Sequence, residues 1–188
     1  MIRTNRILIA ILVLATASLA CNLGIRGVKT PAPLIPVSTE AVQSLEETAV
    51  NSFDKFQQTG QVNLTVTEEQ LTSMVALELD EQATEGISNP QVYLRDGQIQ
   101  LAGDVQTQGL SAPARMVMEV DIDANGRPSL QIVSANVGPF PVPDSLIESV
   151  ETRLNRAFLN QLDEMAPNAV VESVVIADGS MTITGQTR

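Results

Sequence analysis

Cys21 is the only cysteine in this 188-residue chain, and it stands directly behind Ala20 at the end of an uncharged apolar run. A lone thiol there has one obvious chemistry, acylation, because it has no second cysteine with which to form an intrachain disulfide. The chain also has no histidine. Ser-His triads, Cys-His nucleophiles and zinc sites of the usual ligand set are therefore excluded. What remains for acid–base work is carboxylates. The neighbouring pairs Glu46-Glu47, Glu68-Glu69 and Asp163-Glu164 invite a paired-carboxylate reading, but adjacent positions on a helix do not face each other, so they read as solvated faces. Asp121, Asp123 and Asn125, with Gly126, match the opening of a calcium loop. The twelfth position is Ile132, where a bidentate glutamate is needed, so the segment reads as a polar hairpin turn. No catalytic residue, metal or cofactor is expected.

The surroundings of Cys21 define an export signal. Arg3 and Arg6 precede the apolar stretch Ile7 to Leu14, and small residues lead into the cysteine. The segment resembles a bacterial lipoprotein signal, with Ser18-Leu19-Ala20-Cys21 meeting the loose form of its motif, although Ser18 stands where leucine is favoured. That resemblance implies cleavage after residue 20, lipidation of Cys21, and a membrane partner reached through the acyl chains on the extracytoplasmic side. The competing expectation is an uncleaved anchor, since Ile7 to Ile25 is roughly 19 uncharged residues, about enough to span a bilayer. A purely secreted product is the third expectation, and all three place the domain outside the cytoplasm, because arginines before the apolar run hold that end inside.

Removing Arg3 and Arg6 with no acid leaves 9 basic against 22 acidic residues, a formal charge of −13. Such a surface repels phosphate backbones, which argues against nucleic acid, and it offers no basic patch for anionic headgroups. Trp is absent and aromatics are 3% of the chain, so a sugar-stacking platform is not expected either. Residues 21–37, with Pro31, Pro33 and Pro36, read as a semi-extended tether. Residues 38–188 then amount to one domain.

The elements that would position any site follow from periodicity. Val42, Leu45, Ala49, Phe53 and Phe56 share one stripe of a helix over about Ser38 to Gln58, with Ser38 or Thr39 as its cap and Gly60 after its end. Val62, Leu64 and Val66 alternate as a strand. Thr67-Glu68-Glu69-Gln70 has the form of a capping box, opening a helix whose apolar face is Leu71, Met74, Val75 and Leu79.

Residues 92–103 and 174–185 align without gaps in apolar phase, in an Asp-Gly pair and in a closing glycine. Asp-Gly favours a two-residue type I′ turn. The spacing then predicts two hairpins, with Val92 opposite Leu101, Leu94 opposite Ile99, Val174 opposite Ile183 and Ile176 opposite Met181. Between them Met116, Met118, Val120 and Ile122 alternate, and the apolar phase of the next strand slips after Ile132, which predicts a bulge near Val133. The run Gly138 to Pro143 ends that strand. Asp144, or Ser145 with Glu148, is the expected cap of a long helix burying Leu146, Ile147, Val150, Leu154, Phe158, Leu159 and Leu162. The expected fold is α+β: a curved antiparallel sheet of hairpins wrapped on that long amphipathic helix, with additional N-terminal helices.

The segment Val66 to Leu71 after a strand, the strand-Asp-Gly-strand hairpin, the approach Val137 to Pro143 to a long helix and the terminal hairpin ending in Gly185 resemble the YpmS-like and LmeA-like bacterial extracytoplasmic proteins, and through them the tubular lipid-binding (TULIP) folds. The resemblance covers about Gln61 to Thr187. It implies a membrane-anchored, non-enzymatic protein that binds a lipid or other amphiphile. On the residues themselves, Met116, Met118 and Val120 from one strand face, with Leu154 and Phe158 from the long helix, are the expected lining of an apolar groove, since flexible methionine adapts to acyl chains. Core filling is the plainer role for the same side chains. The alternative function is an envelope interaction module with a fully packed core and an acidic binding surface.

Overall fold

A computed structural model describes residues 33–81, 86–107, 110–166 and 168–187. Cys21, its leader and most of the tether lie outside the described residues. Every element described here belongs to the unit Ile35–Arg188. In order these are α1 (Thr39–Thr59), β1 (Gln61–Thr67), α2 (Glu68–Glu81), β2 (Ile87–Arg95), β3 (Gln98–Thr107), β4 (Leu110–Ile122), β5 (Pro128–Val137), the short β6 (Phe140–Pro141), α3 (Asp144–Met165), β7 (Ala169–Ala177) and β8 (Ser180–Thr187). The fold is α+β. Among the described residues, no helix is long and apolar enough to cross a membrane.

The caps follow local chemistry. Ser38 Oγ accepts the Ala41 N–H at the start of α1, and Gly60, at φ +71°, closes it by donating to the Phe56 carbonyl. The capping box at α2 is reciprocal: Thr67 N–H donates to Gln70 Oε1 at 2.9 Å and Gln70 N–H to Thr67 Oγ1 at 3.2 Å. At α3 the expected cap is corrected. The N-cap is Pro143, without a side-chain hydrogen bond, and Asp144 is already helical. A proline just before a helix presets φ and lacks an N–H in any case.

The strands form two antiparallel sheets, one of three strands ordered β1-β8-β7 and one of five ordered β2-β3-β4-β5-β6. A single sheet of hairpins is thus not what forms, because β8 pairs with β1 across most of the domain's sequence, from Gln61↔Gln186 to Thr67↔Ser180. Gly185 permits this close join. A Cβ there would sit on the Val170 carbonyl and against Val62 Cγ1.

All four anticipated cross-strand pairs are present in the two hairpins. The turns differ, however. Asp96 and Gly97 both have positive φ, as a type I′ turn requires, whereas in the second turn positive φ is confined to Gly179. Tertiary contacts hold that second turn: Gly179 N–H donates to the Leu94 carbonyl, and the Gly179 carbonyl accepts from Glu68 N–H, each at 3.0 Å. The bulge falls on Val133, the extra residue between the pairs Val117↔Ser134 and Met118↔Ile132.

Candidate functional site

The pairing register lays apolar side chains in rows across the five-stranded sheet. One row is Val92, Leu101, Met116 and Ala135, and the next is Leu94, Ile99, Met118 and Ile132. Val120 continues the face opposite Leu130. Met118, Ile132 and Ala135 are sealed, and Ile99, Leu101, Met116, Val142, Ile147 and Leu154 pack on them while remaining half-exposed. Of the five expected lining residues, Met116, Met118 and Leu154 therefore meet in one cluster. Val120 and Phe158 are half-buried outside it, Phe158 one turn beyond Leu154 on α3.

Polar residues that the periodicity does not mark set how α3 sits on this face. β5 is nearly an edge strand, since β6 pairs only with Asn136 and Val137. Along the rest of that edge Asn155 Oδ1 accepts the Leu130 N–H at 2.7 Å, and Asn155 Nδ2 donates to the Leu130 carbonyl at 2.8 Å. One turn earlier, Glu151 Oε2 accepts the Ile132 N–H at 3.0 Å. These side chains do for β5 what a neighbouring strand would do. A usable signal was in the chain: asparagine is disfavoured inside helices, and Asn155 lies one turn from Glu151 and beside the apolar stripe.

The opposite edge, β2, is closed in the same way from α2. Thr72 Oγ1 both accepts the Val92 N–H and donates to the Val92 carbonyl, while Glu68 accepts the Leu94 N–H at 2.6 Å and pairs with Arg95 at 2.9 Å. Gln91 Oε1 accepts the Ile35 N–H at 2.7 Å, and Gln91 Nε2 donates to the Ile35 carbonyl. The expected apolar face of α2 is corrected accordingly. Thr72 and Ser73 are its fully buried residues, Leu71, Val75 and Leu79 are half-buried, and Met74 is exposed. A strand edge needs hydrogen-bond partners more than it needs methyl groups.

The calcium-like loop is a turn. Asp123 Oδ1 accepts the N–H groups of Asn125 and Arg127 at 2.8 and 2.9 Å, so its carboxylate is spent on its own loop. The Arg127 N–H, above all, holds the Asp123 carboxyl below its ordinary value. Among the described residues no group of three or more acids could hold a metal. The loop is docked instead: Gly126, at φ +74°, accepts the Val171 N–H through its carbonyl, and a side chain at that position would run into Val170. Of the carboxylate pairs, Glu68 is buried and Glu69 exposed, Glu46 and Glu47 are both exposed, and Asp163 pairs with Arg127 at 2.9 Å.

Two open clefts lie away from the apolar sheet face. One, of about 550 Å³, is lined by Ala124, Asn125, Gly126, Val170, Gln186 and Thr187. The other, of about 430 Å³, lies between the end of α1 and the three-stranded sheet and includes Lys55 and Glu172. Neither takes in any of the five expected lining residues. No protein-family model matches the chain, and no curated protein matches it significantly.

Proposed function

We propose that this is a non-enzymatic, lipid-anchored protein of the bacterial envelope that binds a lipid or other amphiphile between the five-stranded sheet and α3. In this reading the sheet curves about the helix, Cys21 carries the acyl anchor, and the domain stands on the extracytoplasmic side of the membrane. One observation carries it: the apolar rows run across the whole sheet, yet α3 is held at the β5 edge by Asn155 and Glu151, leaving Ile99, Leu101 and Met116 half-covered. Half-covered apolar surface beside a flexible methionine suits an acyl chain. Met118, Val120, Leu154 and Phe158 complete the proposed lining.

The test is solvent extraction and mass spectrometry of the purified chain, with uptake of a fluorescent phospholipid as the functional readout. Met116→Glu places a charge on the half-exposed position and should abolish uptake while the fold survives. Met118→Glu buries an unpaired carboxylate and should unfold the domain. A folded Met116→Glu variant with undiminished uptake would overturn the groove. Cys21→Ser should abolish lipidation, and an unchanged mass and detergent partitioning would remove the anchor from the proposal.

The second reading is an interaction module of the envelope. The sealing of Met118, Ile132 and Ala135 favours it, because a core closed at its centre needs no ligand. A wild-type chain that neither carries lipid nor takes up the probe would select it.

A further inference from the structure

From Ala124 to Pro143 the chain has one charged residue, Arg127, although the domain holds all 22 acidic residues. Arg127 is itself paired with Asp163. The uncharged stretch ends in the turn Gly138-Pro139-Phe140-Pro141-Val142-Pro143, which runs straight into α3. Phe140 is 72% exposed, and Leu146 in the first turns of the helix is 56% exposed. Large apolar side chains so placed are costly in water unless something covers them.

The backbone of this turn is prepared for apolar surroundings. Pro139, Pro141 and Pro143 have no N–H to satisfy. Gly138 N–H donates to the Pro113 carbonyl at 2.7 Å, Val142 N–H donates to the Ala135 carbonyl at 2.9 Å, and Phe140 faces Val137 in the ladder. A turn entering lipid must carry its donors already paired, because the hydrocarbon offers no partner. Apolar side chains also recur on either side of exposed Asp144 and Ser145. Exposed Phe140 and Leu146 alternate with Val142 and Ile147, both of which pack on the cluster of Met118, Ile132 and Ala135.

We infer that the Gly138–Pro143 turn is a membrane-inserting tip, with Phe140 entering the interface of a lipid bilayer and Leu146, beyond Asp144 on the first turn of α3, at its rim. Charge selects the occupant and the orientation. Anionic headgroups repel the acidic remainder of the domain, exposed Asp144 at the first position of α3 included, and leave the uncharged Gly138–Pro143 turn as the part that can approach. The inference rests on the amphiphile reading for its use, since it would give a ligand a way from the bilayer to the sheet face, but the contact is tested separately.

The chain contains no tryptophan, so Phe140→Trp supplies a single reporter. The full chain, purified from membranes, is reconstituted into phosphatidylcholine–phosphatidylglycerol vesicles containing brominated lipid. Emission from Phe140→Trp should shift to the blue and be quenched at least two-fold more than emission from Val175→Trp, placed at a 57% exposed position on β7. Leu146→Trp repeats the measurement from α3 and decides the matter if the first variant does not fold. Equal, solvent-like emission from the tip and β7 reporters would overturn the inference. So would a tip reporter that shifts to the blue without lipid as the concentration of detergent-solubilised protein rises, which would mean that a second copy covers it. A quenched tip in a chain that takes up no phospholipid probe would count against the groove alone, and uptake with an unquenched tip against the tip alone.

Discussion

Asn155 on α3 holds both backbone groups of Leu130 on β5, accepting its N–H at 2.7 Å and donating to its carbonyl at 2.8 Å. One amide thus replaces two ladder bonds of a missing strand. With Glu151 on Ile132, this pair ties the helix to the β5 edge.

Asn155→Ala should accordingly cost about 2 kcal/mol, because it leaves a part-buried donor and acceptor unpaired. Asn155→Asp keeps the acceptor but sets a carboxylate oxygen against the Leu130 carbonyl, one turn from Glu151, so it should cost at least as much as Asn155→Ala. Denaturant titration ranks the three, and amide exchange at Leu130 should quicken in Asn155→Ala. An unaltered exchange rate would mean that the side chain does not hold the edge.

The β2 edge separates a hydrogen bond from an ion pair. Glu68→Ala removes the acceptor of the Leu94 N–H and should cost about 2 to 3 kcal/mol. Arg95→Ala removes the cation but leaves the Glu68 carboxylate bonded to the Leu94 N–H, and should cost less than Glu68→Ala. Equal losses in the two variants would show that the charge pair, and not the strand edge, is what Glu68 serves.

Gly97→Val and Gly179→Val should each destabilise by about 1 to 3 kcal/mol. Nothing lies within 4 Å of a Cβ at either site, so the cost is conformational, set by φ values of +76° and +91°. Gly97→Asn should recover most of the loss, since asparagine tolerates the left-handed region. Thermal melts of the three variants check this, and a Gly97→Val melt equal to wild type would contradict the turn geometry.

Asp123 makes a pH prediction. Its carboxyl is held below the ordinary value of 3.8, first by the Arg127 N–H. A group whose folded pKa is lowered contributes stability above its unfolded value, and that contribution disappears as the pH falls through the lowered folded value. Asp123→Asn should therefore lose stability relative to wild type at neutral pH, and the difference should narrow in acid below pH 3.8. A gap that stays constant across that window would disprove the assignment.

Local stereochemistry was legible in the chain. The Ser38 cap, the Thr67–Gln70 box, the hairpin partners on either side of Gly97 and Gly179, and the bulge at Val133 all depend on residues a few positions apart, where φ/ψ limits and side-chain alternation act directly. Alternation also placed Met116, Met118 and Val120 on one face. Tertiary structure alone decided the rest. That β8 pairs with β1 and divides the strands into two sheets is a choice between partners more than 100 residues apart, and each strand's own pattern fits either outcome equally well. Glu68, Thr72, Glu151 and Asn155 look like solvent positions until the free edges of β2 and β5 are brought beside them, where buried N–H and carbonyl groups require partners. The same placement of α3 seals Met118 and leaves Met116 half-covered, because side-chain alternation assigns a face but only packing assigns its cover.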